Sequence, residues 1–225
     1  MTQRYDDPEF DQGWSRRRQT VPTPRGPAWI DLVVPPIPLA SLLVLGHGAG
    51  GDVTAADLSA LCSAAACAAV AVARVTQPYR VAGRRAPAPA GHLDEAWRAV
   101  VARLAADFAV AGSSGGVPPL IVGGRSSGAR VACRTAAQVS AAGVIALAFP
   151  LHPPGRPERT RAGELVTGLP TLVVNGERDP FGVPPAGPDR DVVVRPGERH
   201  DLRGDPEGVA GVVVDWLAAR DWARR

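Results

Sequence analysis

Short, nearly unbroken apolar runs alternate with helical patterns along most of this 225-residue chain, and that alternation limits the fold more than any single motif does. The β-like runs are AWIDLVV (28–34), LASLLVLGHG (39–48), AVAVARV (69–75), LIVGG (120–124), GVIALAF (143–149), PTLVVNG (170–176) and DVVV (191–194). Helical stretches fall between or after them, over 55–69, 93–109, 127 to about 138 and 206–222. A strand with one wet face alternates polar and apolar side chains, whereas a strand covered on both faces has no place for the polar ones. These runs are of the second kind and predict an α/β fold: a mainly parallel central sheet with helices on both faces. Ligands of such sheets collect at the carboxyl ends of the strands.

Four chemically distinctive loops fall at those ends. LLVL runs into Gly46-His47-Gly48-Ala49-Gly50-Gly51, whose backbone N–H groups can approach a ligand because few side chains obstruct them. LIVG runs into Gly124-Arg125-Ser126-Ser127-Gly128, a G-x-S-x-G pattern at a strand-to-helix junction, the signature of a strained elbow that exposes a serine hydroxyl. TLVVNG leads to Glu177-Arg178-Asp179-Pro180, and DVVV leads to Gly197-Glu198-Arg199-His200. Small residues two before and two after the nucleophile are needed for strand and helix to pack closely. Gly124 and Gly128 supply them only if Ser126, and not Ser127, is central.

Serine is a weak nucleophile, so His200 is expected to take its proton and later return it to the leaving group, with Asp179 fixing the imidazole tautomer. The backbone N–H groups of Ser127 and Ala49 are the expected oxyanion donors. Glu177 and Asp189 are the alternative carboxylates. His47 and Gly48 are placed at the substrate loop, with His47 ordering it through backbone hydrogen bonds. Arg125 pairs either with a substrate carboxylate or with an acidic neighbour, and His152 in PLHPPG either lines the pocket rim or braces a proline turn. His92 reads as a solvated residue at a helix start.

Composition narrows the remaining classes. All 25 basic residues are arginine, the net charge is +3, and no basic run exceeds Arg16-Arg17-Arg18, so the footprint of a nucleic-acid binder is missing. Cys62, Cys67 and Cys133 lie in alanine-rich segments without disulfide or metal-ligand spacing and read as small core residues in a reducing compartment. No run reaches the ~18–20 apolar residues of a membrane span, and no signal-peptide h-region is present, which predicts a cytoplasmic protein. Residues 1–26 show no apolar periodicity and read as a mobile or loosely docked extension, leaving 27–225 as one domain. Neither metal nor cofactor is expected.

LGHGAGG, GGRSSGARVA, FPLHPPGRPE, NGERDPFG and GERH, in this order, resemble a small bacterial α/β-hydrolase related to dienelactone hydrolases. Within that group the resemblance is to the branch sharing its domain with a scaffold subunit of the nonspecific-lethal histone acetyltransferase complex. It implies the α/β-hydrolase fold and the same Ser126, Asp179, His200 triad, without naming a natural substrate. The expected reaction is cleavage of a carboxylic ester, or a related acyl bond, of a small substrate through an acyl-serine intermediate. The segment after RDPFG, VPPAGPDRD, is too short and proline-rich for the helix usual there. Residues 150–168, with Pro150, Pro153, Pro154 and Pro157, leave no room for a helical cap domain. The rival class is a scaffold that keeps the fold and binds partners without catalysis.

Overall fold

The computed structural model describes residues 13–111 and 116–225. Eight strands form one sheet: β1 (Ser15–Thr23), β2 (Gly26–Val34), β3 (Ser41–Gly46), β4 (Val70–Thr76), β5 (Leu120–Arg125), β6 (Gly143–Leu147), β7 (Thr171–Gly176) and β8 (Arg190–Arg195). Their order across the sheet is β1-β2-β4-β3-β5-β6-β7-β8. β4 through β8 run parallel, while β2 is antiparallel to both of its neighbours. The helices are α1 (Ala56–Cys67), a short α2 (Pro78–Val81), α3 (Ala90–Ala111), α4 (Ser127–Thr135) and α5 (Pro206–Ala218). None of the described helices is long and apolar enough to cross a membrane.

The two-residue period of the strands sorts their side chains between two cores. Leu42, Val44, Val122, Val144, Ala146 and Val173 face α3 and α4. Leu43, Leu45, Ile121, Ile145, Leu147 and Val174 face α1 and α5. Polar residues would be buried on either face, which is why β3, β6 and β7 read as continuous apolar runs; burying a Leu, Ile or Val is worth roughly 1.5–3 kcal/mol.

The amino-terminal segment departs from the sequence reading. Within the expected extension, residues 15–23 form the edge strand β1, paired with β2 from Ser15 opposite Val34 to Thr23 opposite Gly26. The fork from Arg18 to Asp31, at 2.6 and 2.9 Å, joins the two across the sheet. An edge strand is fixed by backbone pairing and cross-strand contacts, so it needs no apolar stripe. Among the described residues the sheet therefore begins at Ser15, and the portion of the expected extension over 1–12 lies outside them. Cys62 and Cys133 are buried as expected, but Cys67, in the last turn of α1, is exposed.

Candidate active site

Strand order reverses between β3 and β5: from β3 the chain passes through α1 to β4 on one side, and from β5 through α4 to β6 on the other. The two helices lie on opposite faces, which leaves a crevice at the carboxyl ends of β3 and β5. Ser126 sits there, between β5 and α4, with φ 52° and ψ −109°, a costly conformation for a residue with a Cβ. Its N–H donates to the Leu147 carbonyl at 2.9 Å, and its own carbonyl accepts from the Arg130 N–H at 3.2 Å. A Cβ on Gly124 or Gly128 would collide with the Gly46 carbonyl oxygen. Backbone passes directly over backbone here, so the glycines around Ser126 are a packing requirement.

His200 bridges the serine and an acid. Its Nε2 lies 2.9 Å from Ser126 Oγ and its Nδ1 lies 2.8 Å from Asp179 Oδ2. A carboxylate can only accept, so Nδ1 carries the proton and Nε2 is left to accept from the serine hydroxyl. The Asp179 side chain is fully buried, while the His200 side chain is 20% exposed. Asp179 Oδ1 accepts from the Phe181 N–H at 2.9 Å, and the Phe181 ring lies against the imidazole with centroids 4.2 Å apart. The turns carrying Asp179 and His200 are pressed together: the Arg178 N–H donates to the Glu198 carbonyl at 2.8 Å, and a Cβ on Gly176 would stand 2.6 Å from the Arg199 carbonyl oxygen. Residues 177–189 contain no helix, as the proline-rich segment implies. Of the alternative acids, Glu177 instead accepts from the Gly197 N–H at 2.9 Å, and neither Glu177 nor Asp189 bonds to His200.

On the other side of Ser126 lies the glycine-rich loop. A Cβ on Gly48 would stand 3.7 Å from Ser126 Cβ, so the loop overlies the serine. Ser127 opens α4, where the first N–H groups have no intrahelical acceptor and the helix dipole favours negative charge. The carbonyl of Ala49 is tied back by the Tyr79 hydroxyl at 2.7 Å. His47 is 3% exposed; its Nδ1 bonds to the Gly48 carbonyl at 2.8 Å and its Nε2 accepts from the Gln77 N–H at 3.1 Å. Burial holds this imidazole below the ordinary histidine range. Both ring nitrogens of His47 are thus engaged by backbone, as expected of a residue that orders the loop.

Arg125 and His152 resolve in the same direction. The Arg125 Nε stands 3.1 Å from Oδ2 of the fully buried Asp57 side chain, which supplies the acidic neighbour. Burial pushes the Asp57 carboxyl up, and the facing guanidinium opposes that rise. His152 Nδ1 bonds to the Pro153 carbonyl at 2.9 Å, its backbone N–H donates to the Phe181 carbonyl at 3.0 Å, and its ring packs against Gly182. It braces the turn behind Asp179.

Three contributors escape a reading based on loop motifs. Asn175, fully buried in β7, accepts from the Phe149 N–H at 2.9 Å and reaches Asp179 Oδ2 at 3.3 Å and the Gly182 carbonyl at 3.2 Å. Its signal was a lone amide inside an apolar strand. Asp57 was similarly visible as an acid in an alanine-rich helix, and Phe181 carried no signal. The described residues hold no cluster of three or more His, Cys, Asp or Glu side chains suited to a metal ion. A cavity of about 350 Å³ between α1 and the β1–β2 hairpin is lined by none of Ser126, Asp179 or His200.

A doubly covered, mainly parallel sheet with a serine elbow at its switch point defines the α/β-hydrolase fold. Residues 40–186 match the family described as alpha/beta hydrolase domain, and the chain belongs to that family. No curated protein matches it significantly. Among solved structures it is similar to XC6422 from Xanthomonas campestris, described as an α/β serine hydrolase without a lid, with TM-score 0.72 and 19% identity over 97% of this chain and 99% of that one. A dienelactone hydrolase from Anabaena variabilis superposes with TM-score 0.70 and 16% identity over 92% and 98% of the two chains. Est1E from Butyrivibrio proteoclasticus gives 0.69 and 16% over 90% and 98%.

Proposed function

We propose that the protein hydrolyses carboxylic esters of small molecules through an acyl-serine intermediate. The observation that carries this reading is the continuous hydrogen-bonded line from Ser126 Oγ through the His200 ring to the buried Asp179. As Ser126 Oγ attacks the ester carbonyl, His200 Nε2 removes its proton and Asp179 stabilises the resulting imidazolium. The Ser127 and Ala49 N–H groups receive the developing oxyanion, each worth about 3 kcal/mol in the transition state. His200 then protonates the departing alkoxide, and a water activated by the same nitrogen releases the acid. A fluorophosphonate probe, which reacts only with an activated serine, is expected to label the peptide carrying Ser126; absence of labelling would sink the reading.

Substrate size follows from the segment between β6 and β7. Its regular structure is limited to a short 3-10 turn over Ala162–Leu165, and it is lashed down by Glu164, which accepts from Arg130 at 2.6 and 2.8 Å and from Arg134 at 3.2 Å. A strap held flat offers few apolar walls to a long acyl chain. In a series of p-nitrophenyl esters, kcat/KM is expected to favour C2–C4 over C12–C16 acyl groups by roughly tenfold or more. Preference for the long chains, or activation at a lipid–water interface, would show that another segment closes over Ser126.

A further inference from the structure

One side chain touches three of the segments that build the site. Arg125 ends β5, next to Ser126, and its side chain is 14% exposed. Its Nε faces Asp57 in α1, its Nη2 donates to the backbone carbonyl of His200 at 3.1 Å, and its Nη1 lies 3.3 Å from where a Cβ on Gly48 would stand. We propose that Arg125 is a positioning residue for the general base: anchored on Asp57, it holds the His200 backbone at the distance from Ser126 that proton transfer needs. The inference rests on the hydrolase reading above and assigns a task to a residue outside the three that react.

The physical case is one of geometry and charge. The His200 loop follows β8, a sheet edge; its backbone is tied to the Asp179 turn through the Arg178 N–H and the Glu198 carbonyl, and Arg125 adds the tie to the elbow. A guanidinium spreads its charge over a planar group with separate nitrogens, so a single cation can lie against the Asp57 carboxylate through its charge while another nitrogen directs an N–H at the His200 carbonyl; an ammonium is a point charge on a flexible stem and cannot do both from one place. Asp57 is what makes the anchor stiff. Its side chain is fully buried, its Oδ1 accepts from the Leu58 N–H at 3.0 Å, and the contact with Arg125 is an ion pair in a site with little water to screen it. A displacement of about 1 Å at a reacting group can cost on the order of 100-fold in rate, so releasing His200 should lower turnover without altering substrate affinity.

A plain structural salt bridge predicts something different, and Arg125→Lys separates the two. Lysine keeps the charge opposite Asp57, so the unfolding midpoint should stay within a few degrees of wild type, while kcat for p-nitrophenyl acetate falls roughly 10- to 100-fold and KM moves by less than about twofold. The proton between His200 Nδ1 and Asp179 should give a low-field proton resonance in the wild type that broadens or shifts in Arg125→Lys. Arg125→Gln should lose the same turnover and also stability, because Asp57 is left buried without its partner. Full activity in a folded Arg125→Lys would overturn the proposal. So would a raised KM confined to a 4-nitrophenyl hemisuccinate substrate with kcat unchanged, which would make Arg125 a receptor for substrate carboxylate. A wild-type protein that neither hydrolyses ester nor takes up the probe would overturn the hydrolase reading and this inference with it.

Discussion

Ser126→Ala is expected to reduce ester hydrolysis by about 10⁴-fold or more while leaving the folded protein intact. The loss is large because, among the described residues, no other hydroxyl lies on the His200 Nε2, which bonds to Ser126 Oγ at 2.9 Å. Folding should survive because alanine meets the same strain at φ 52° as serine does, and the restraining bonds to Leu147 and Arg130 are made by backbone. Ser127→Ala is the informative companion. Its backbone N–H at the start of α4 remains, so probe labelling should persist with an activity loss below about tenfold. Hydrolysis of p-nitrophenyl acetate and probe labelling measured on both variants check the assignment; labelling retained in Ser126→Ala, or lost only in Ser127→Ala, would move the nucleophile.

Asp179→Asn should cost roughly 10³- to 10⁴-fold in kcat, for a reason legible in its hydrogen bonds. Both carboxylate oxygens are committed: Oδ1 accepts from the Phe181 N–H and Oδ2 from His200 Nδ1. An asparagine has one acceptor for these two donors. With its oxygen on the Phe181 side, its amide nitrogen faces His200 Nδ1 and drives the ring proton to Nε2, where it blocks acceptance from Ser126. The protein should stay folded, since the replacement is isosteric, and circular dichroism with a kcat measurement tests both halves. A variant of unimpaired kcat would remove Asp179 from the mechanism.

The residues that meet around Ser126 were visible in the chain because each terminates an apolar strand with a turn. Gly124 and Gly128 fixed the serine frame, and the same pair turns out to be demanded by the Gly46 backbone that crosses them. What stayed hidden depends on contacts between distant segments. Asn175 looks like a strand-end residue until Phe149 and Gly182 are brought to it. The ambiguity at Arg125 could not be resolved because its two partners, Asp57 and His200, lie 68 and 75 positions away on opposite sides of it in sequence. β1 was hidden for a different reason. Its stability lies in pairing with β2 and in the Arg18–Asp31 fork, and neither leaves an apolar pattern.

Among the described residues the open sheet also has two margins, β1 and β8, where a further strand from another copy could add on. Both margins carry charge: Arg16 and Arg18 along β1, and Arg190, Asp191 and Arg195 along β8. On the β8 side Asp191 is held by the Trp216 indole N–H at 2.7 Å and by Arg220, whose guanidinium stacks 3.9 Å above the Trp216 ring. Charged side chains are what keeps an exposed strand edge from accepting a second one, and at these borders they are held in place by the fold itself, Arg18 by Asp31 and Arg195 by Asp205.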